Sequence, residues 1–199
     1  MNDVIFQFKK KINEDSLSPN NVLLTDGTYC DKIEAHVRGS QHYAFSIFLF
    51  DSNGNMLLQR RSKGKYHSGG LWSNTCCSHP LSVSSIKEIE EQAKARLFYE
   101  MGMDDVSLHF EFSFAYNEQC SNYIENEIDY VFSCVSNQMP QINEEEVADY
   151  KWISIKNLQK ELHHLPETFT IWFRRIIELH GDKLFANTNK IIGDSCYQL

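Results

Sequence analysis

The sequence has no apolar run long enough to cross a bilayer, and its first twenty residues lack the apolar core of a secretory signal. Proline is scarce, with 4 among 199 residues, and there is no internal repeat or low-complexity segment. The chain is 42% hydrophobic and 13% aromatic, which is typical of a globular protein large enough to bury a full core. We therefore expect a cytoplasmic protein that does not bind a membrane.

The sequence also has fewer basic than acidic residues. Lys and Arg together number 19 against 27 Asp and Glu, which gives a formal net charge of -8. That balance argues against general binding to nucleic acid or to anionic lipid. Cations are nevertheless grouped at Arg60, Arg61, Lys63 and Lys65, and a basic group in an acidic chain indicates a small anionic ligand. We expect the protein itself to be a monomer or a weak dimer.

The six cysteines lack the setting in which disulfides are expected, because no secretory signal accompanies them. We therefore predict reduced thiols. Cys76 and Cys77 precede His79 in the stretch 71–80, in a pattern that is similar to half of a zinc knuckle. No second Cys-x-x-Cys pair exists to complete such a knuckle, so Cys77 is also a candidate nucleophile or proton donor.

Periodicity and turn residues predict alternating strands and helices. Strands are predicted at 22–25, 43–51, 56–60, 108–116, 124–135 and 150–153, with a tight turn at 52–55. A helix capped by Ser84 or Ser85 is predicted to end at Gly102, and two more helices are predicted at 155–162 and 166–179. The acidic run 144–146 is predicted to be a solvated loop. We divide the chain into an N-terminal extension (1–21), one domain (22–183) and a C-terminal tail (184–199).

Three histidines and two glutamates form a candidate metal site. Glu125 and Glu127 lie two residues apart on a predicted strand, so their side chains point to the same face. Combined with imidazoles, these carboxylates would make a nitrogen and oxygen ligand set that suits zinc, manganese or iron and is open to magnesium. The histidines are His36, His42 and His79. Each one alone is an ordinary surface or core histidine, and the site requires convergence from separate segments.

A second set of residues is suited to an anionic ligand. Arg96 and Glu100 are spaced four residues apart on the predicted helix and therefore share one helical face. Glu100 offers a hard oxygen to a magnesium ion. The cations that would bind phosphate oxygens are Lys32, Arg61, Lys65 and Arg96. The alternative interpretation is that all of them are solvated surface charges.

These residues resemble the signatures of a known family over about residues 22–179. The matching motifs are Glu34-Ala35-His36 with His42, Gln59-Arg60-Arg61, the stretch 72–80, Ala95-Arg96-Leu97 with the stretch 99–102, and the stretch 123–130. With them the chain is identified as similar to the type 1 isopentenyl diphosphate isomerases of the Nudix superfamily. The resemblance implies an α+β fold, an α/β/α sandwich with a mixed sheet between helices. It also implies interconversion of isopentenyl diphosphate and dimethylallyl diphosphate in isoprenoid biosynthesis.

The resemblance also implies a role for each site residue. Cys77 and Glu127 would exchange protons with the substrate, and Tyr116 would assist that relay. Glu100, with the main-chain carbonyl of Cys77, would hold Mg²⁺ on the diphosphate. A second divalent metal, Mn²⁺, Mg²⁺ or Zn²⁺, would bind His36, His42, His79, Glu125 and Glu127. Lys32, Arg61, Lys65 and Arg96 would contact the diphosphate, and Trp172 would line the pocket with Tyr116.

The implied chemistry explains why such residues are needed. An unactivated alkene has no acidic proton, so the plausible route is protonation to a tertiary carbocation followed by loss of a neighbouring proton. That route needs an acid and a base around one carbon chain, with water excluded. An indole such as Trp172 would stabilise the cation by roughly 2 kcal/mol or more when desolvated.

Two other functions compete with isomerisation. A Nudix hydrolase box reads Arg-Glu-x-x-Glu-Glu-x-Gly, whereas this chain has Arg96 and Tyr99 at two of the three carboxylate positions. That departure counts against a pyrophosphohydrolase. A non-enzymatic metal-binding module is disfavoured by the missing second cysteine pair.

Overall fold

The computed structural model describes residues 20–196, so the expected N-terminal extension lies outside the described residues except for Asn20 and Asn21. A small hairpin pairs β1 (Asn21–Leu23) with β2 (Tyr29–Asp31), and helix α1 (Lys32–Arg38) follows. The main sheet in this part of the chain has seven strands. They are β3 (His42–Phe50), β4 (Asn55–Arg61), β5 (Trp72–Ser73), β6 (Cys76–Ser78), β7 (His109–Cys120), β8 (Tyr123–Val135) and β9 (Val147–Ser154).

The sheet is mixed because β3 pairs in parallel with β8, while the other strand pairs are antiparallel. The predicted hairpin of β3 and β4 forms, but its ladder contains only the pairs Leu49↔Leu57 and Phe50↔Met56. Beyond them β4 pairs with β9, and β6 pairs with β3 instead. This divergence places β6 beside the middle of β3, where Cys77 is the register partner of Ser46.

The helix predicted to end at Gly102 is confirmed as α2 (Ile86–Met101). Ser85 caps its first turn by accepting a hydrogen bond from the Glu88 amide, and Gly102 closes it with a left-handed φ of 64°. Helix α3 (Ile155–His164) also agrees with the predicted segment. Among residues 20–196, no helix is both long and apolar enough to cross a membrane.

The bounds predicted for the last helix, residues 166 and 179, were both wrong. Residues Pro166–Thr168 form a 3-10 turn, and helix α4 runs over Ile171–Cys196. It continues past residue 179 because apolar side chains such as Leu184 keep contact with the core. The boundary that we expected at residue 184 therefore falls inside this helix.

Helices cover both faces of the sheet, as the resemblance implied. Successive side chains of a strand point to opposite faces, so β3 supplies Ile47 to one buried layer and Phe48 to the other. Helix α2 packs on the first layer, and α3 with α4 packs on the second. The fold is thus α+β with a mixed sheet between helices.

Candidate active site

Helix α1 and the start of β3 bring two imidazoles together. Gly39 ends α1 with a φ of 67°, and a Cβ there would lie 3.0 Å from a side-chain atom of Ile124. His36 Nδ1 donates a hydrogen bond to the Lys32 carbonyl at 2.6 Å, and His42 Nδ1 donates to the Ser40 carbonyl at 2.8 Å. Because a carbonyl only accepts, both rings carry the proton on Nδ1, which leaves Nε2 available as a ligand atom.

Two carboxylates of β8 face these imidazoles. The register of β3 with β8 makes His42 the partner of Glu127. Oε1 of Glu127 lies 3.2 Å from His42 Nε2 and 3.1 Å from His79 Nε2. Glu125 points to the same face, and its Oε2 lies 3.5 Å from His36 Nε2. The five residues that the sequence proposed as metal ligands therefore meet.

The residues at this centre fit a divalent metal ion. Ligand atoms of His36, His42, His79 and Glu127 all lie within 4.8 Å of one another. His42 Nε2 is buried and has no hydrogen-bond partner within residues 20–196, although a carboxylate oxygen is near. Burial lowers the pKa of His79 to about 3 against the pull of Glu127, so its ring is neutral. Burial, and then the charge of Glu127, raises the pKa of Glu125, and a cation bound between the two carboxylates would favour the ionised form of both.

The sequence interpretation missed His67 at this centre. Its imidazole is buried, and Nε2 lies 3.2 Å from Glu125 Oε1. With His36 and Glu125 it forms a second group of three possible ligands. Burial, reinforced by the charge of Arg61, lowers its pKa to about 2. The available signal was its position two residues after Lys65, in the loop that carries the predicted phosphate-binding cations.

Cys77 lies at the cleft, whereas its neighbour Cys76 is fully buried in the core. The alternation along β6 separates the two thiols to opposite faces. The sulfur of Cys77 is 4.0 Å from Arg61 Nη1. Burial raises the pKa of Cys77 to about 12, although the charge of Arg61 opposes that shift. The thiol is therefore protonated at neutral pH. Five cysteines, all but Cys196, are seen to be unpaired, as predicted.

Tyr116 lies directly behind Glu127. The two residues are register partners on β7 and β8, and the Tyr116 hydroxyl donates a hydrogen bond to Glu127 Oε2. Burial, and then the negative charge of Glu127, raises the pKa of Tyr116 well above its usual value. The phenol therefore keeps its proton and remains a donor to the carboxylate.

A cleft of about 410 Å³ joins the metal-ligand candidates to the cations. The Arg61 guanidinium lies 5.0 Å from the ring of Trp172, whose Nε1 donates to Asn74 Oδ1 at 3.2 Å. The predicted site residues that line this cleft are Lys32, His36, Arg61, Lys65, Cys77, His79, Arg96, Glu125, Glu127 and Trp172. The other three, His42, Tyr116 and Glu100, are buried and contact residues of the lining.

Glu100 is held by cations at the end of α2. Its carboxylate accepts hydrogen bonds from Arg96 Nε and Gln59 Nε2, each at 2.9 Å. Lys65 Nζ lies 3.8 Å away. Burial raises the pKa of Glu100, but the charges of Arg96 and Lys65 outweigh burial and bring it to about 2. Glu100 is therefore ionised at neutral pH.

The prediction of a solvated loop at 144–146 was wrong for Glu146. Glu144 and Glu145 are exposed, but the side chain of Glu146 is only 12% exposed and forms ion pairs with Lys65 and Arg96. The Glu146 amide donates to the Asn143 carbonyl at 2.9 Å, and the next residue, Val147, is fully buried. This turn directs the third glutamate of the run into the cleft.

The fold and the site place the chain in a known class. The model of the NUDIX domain matches residues 40–173. Among solved structures, the MutT protein from Methanosarcina mazei Go1 superposes with a TM-score of 0.54 at 21% identity, over 75% of this chain and 96% of that one. The NUDIX domain of Shewanella oneidensis NrtR, in complex with ADP ribose, gives a TM-score of 0.56 at 16% identity, over 73% and 89%. At these identities the likeness concerns the fold alone.

Curated relatives define the family more narrowly. Isopentenyl-diphosphate Delta-isomerase 2 of Aromatoleum aromaticum is 43% identical over 151 residues, which are 75% of this chain and 78% of the relative. The enzyme of the same name from Photorhabdus laumondii is 44% identical over 147 residues, 73% of this chain and 81% of the relative. The chain therefore belongs to the isopentenyl-diphosphate Delta-isomerase family of Nudix proteins.

Proposed function

We propose that this protein interconverts isopentenyl diphosphate and dimethylallyl diphosphate, a step of isoprenoid biosynthesis, by moving protons at carbon. One arrangement carries the proposal: the thiol of Cys77 and the carboxyl of Glu127 border the same cleft, next to four cations. The cations suit a diphosphate, and the thiol and carboxyl suit the hydrocarbon part of the substrate. Family membership supports the same reaction.

The reaction needs one proton added and one removed. A proton is delivered to the terminal carbon of the alkene, which leaves a tertiary carbocation. A second group then takes a proton from the carbon on the other side, and the double bond forms there. Cys77 holds a proton at neutral pH, and Glu127 is a carboxylate that Tyr116 supplies with a hydrogen bond. These two groups fill the acid and base roles.

The diphosphate is held in place while the protons move. Lys65 and Arg96 lie at one end of the cleft, and the Arg61 guanidinium lies between Trp172 and Cys77. Charge-assisted hydrogen bonds from such groups fix the phosphate oxygens and hence the carbon chain. The Trp172 ring faces the same space and stabilises the cationic intermediate electrostatically.

Metal ions complete the proposed site. Mn²⁺, Mg²⁺ or Zn²⁺ would be held by His36, His42, His79, Glu125 and Glu127, and Mg²⁺ would be held by Glu100 with the Cys77 carbonyl. When bound, the first ion would supply the positive charge that the buried carboxylates of Glu125 and Glu127 require, and the second would neutralise diphosphate charge. In the described structure Glu100 bonds to Arg96 and Gln59, so it must share or exchange those partners.

The rival functions find less support. The stretch 95–102, at the end of α2, carries Glu100 as its only carboxylate, and Arg96 is ion-paired with it. A hydrolase typically positions the attacking water with a cluster of helix carboxylates and metal ions, and this stretch does not supply such a cluster. A metal-binding module without catalysis leaves unexplained why a protonated thiol and four cations border the same cleft.

Isotope exchange tests the proposal. Isopentenyl diphosphate incubated in deuterated water with Mg²⁺ should yield dimethylallyl diphosphate carrying solvent deuterium, as seen by mass spectrometry and NMR. Release of phosphate or pyrophosphate should be negligible. Rapid phosphate release without isomer or deuterium uptake would reject isomerisation in favour of hydrolysis.

A further inference from the structure

Four charged side chains form a ring of ion pairs at one end of the cleft, in which each of two cations contacts both of two carboxylates. Glu146 Oε2 accepts a hydrogen bond from Arg96 Nη2 at 2.7 Å and another from Lys65 Nζ. The same Arg96 nitrogen lies 2.5 Å from Glu100 Oε1. We call Lys65, Arg96, Glu100 and Glu146 the mixed-charge cluster. Because both carboxylates contact one nitrogen, they lie close together.

An independent feature of the same cleft indicates an anionic ligand. Arg61 is 7% exposed, and its Nε has no hydrogen-bond partner within residues 20–196. A buried guanidinium N–H without an acceptor is costly. Arg61 lines the cleft together with Lys65, Arg96 and Glu146, so an oxygen-rich anion bound there would satisfy it. The mixed-charge cluster therefore lies at the edge of an anion site.

The presence of two carboxylates in an anion site needs an explanation. At this end of the cleft a free diphosphate would meet Lys65 and Arg96 already paired with carboxylates, and two negative charges that repel it. A magnesium complex of the diphosphate brings both partners at once. Its phosphate oxygens would replace the carboxylates on Lys65 and Arg96, and the carboxylates of Glu100 and Glu146 would then be available to hold its Mg²⁺. One or two carboxylates with substrate phosphates are the usual protein environment of Mg²⁺.

We propose that Glu146, acting with Glu100, is a specificity-determining residue that makes the cleft select the magnesium complex of a diphosphate over the free diphosphate. This inference rests on the proposed function only in taking the ligand to be a diphosphate. It assigns to Glu146 a role that the run of three glutamates in the sequence did not suggest.

Binding of inorganic pyrophosphate tests the proposal without requiring turnover. Calorimetric titration of the full-length protein, with and without Mg²⁺, gives the preference for the magnesium complex as a ratio of two dissociation constants. Glu146→Gln should weaken binding of magnesium pyrophosphate at least tenfold. It should leave binding of free pyrophosphate unchanged or tighter, because one repulsive charge is gone. Glu144→Gln, an exposed change in the same loop, should preserve both constants.

Several outcomes would overturn the proposal. One is an unchanged magnesium preference in a Glu146→Gln protein whose thermal denaturation matches the parent. Another is an equal loss of both affinities, which would mean that Glu146 only positions Lys65 and Arg96. Absence of pyrophosphate binding to the parent also rejects it. If the parent selects the magnesium complex through Glu146 but forms no isomer, this inference stands and the proposed function fails.

Discussion

The hydroxyl of Tyr116 donates a hydrogen bond to Oε2 of Glu127 from the neighbouring strand. The other oxygen of the same carboxyl faces the imidazoles of His42 and His79, at 3.2 and 3.1 Å. Glu127 is thus the side chain in which the proposed proton relay and the proposed metal centre meet. Substitutions at Tyr116 and at the metal-ligand histidines should therefore both affect the function of the Glu127 carboxylate.

Replacing Tyr116 by Phe should lower kcat by roughly 10- to 100-fold while metal content stays at the parent level. The ring packing is retained, but the carboxylate loses a donor, and stability should fall by about 1–3 kcal/mol. Steady-state kinetics and denaturant unfolding measure the two effects. Tyr43→Phe, at a half-buried tyrosine of β3, is the control and should leave kcat within about twofold. An unchanged kcat in Tyr116→Phe would remove the phenol from the relay.

Glu127→Gln should suppress deuterium incorporation into dimethylallyl diphosphate by about 10²- to 10⁴-fold, the usual contribution of a general acid or base. The amide has the shape of the carboxyl group but cannot take up or release a proton at neutral pH. Mass spectrometry of the product measures the effect, and metal analysis shows whether ligand loss contributes. Exchange at the parental rate would mean that Glu127 has no catalytic part.

The adjacent thiols provide a matched pair for the proton-transfer role of Cys77. Cys77→Ala should abolish turnover with little loss of stability. Cys76→Ala should keep most of the activity and cost on the order of 1 kcal/mol, because that side chain is fully buried in the core. Kinetics and thermal denaturation of both variants decide the matter. Equal loss of activity in the two would indicate a structural role for both thiols.

His79→Ala should lower the affinity for the metal at the His and Glu centre by at least about tenfold, with activity falling in parallel. Inductively coupled plasma mass spectrometry after dialysis measures the metal content of the protein. Removing the metal with a chelator should lower the parent's thermal midpoint, because Glu125 and Glu127 lose their counter-charge. His163→Ala, at an exposed histidine of α3, should change neither quantity. Full metal content and turnover in a folded His79→Ala protein would show that the site is misassigned.

Trp172→Leu should lower kcat by about 30-fold and change KM much less, because the ring acts on a cation that exists only after protonation. Trp172→Phe keeps an aromatic face and should retain more of the rate. Both variants lose the hydrogen bond to Asn74, so their difference isolates the ring. Equal kcat values for the Leu and Phe variants would exclude electrostatic stabilisation by the indole.

Local features of the fold were predictable from the sequence. The caps of α2, Ser85 and Gly102, and its apolar repeat are short-range signals, and they gave the helix bounds closely. The motifs that resemble the isomerase family gave the fold and the reaction. The true length of α4 was not predictable, since residues after 179 are helical chiefly because side chains such as Leu184 pack on the sheet.

Convergence at the site was decided by tertiary structure. The sequence places Glu125 and Glu127 on one face of a strand, but only the parallel pairing of β3 with β8 sets His42 opposite Glu127. That register depends on packing between distant segments, which no local pattern encodes. For the same reason His67 and Glu146 were missed. The sequence by itself determined which acids, bases and cations are available, and the fold decided which of them share one cleft.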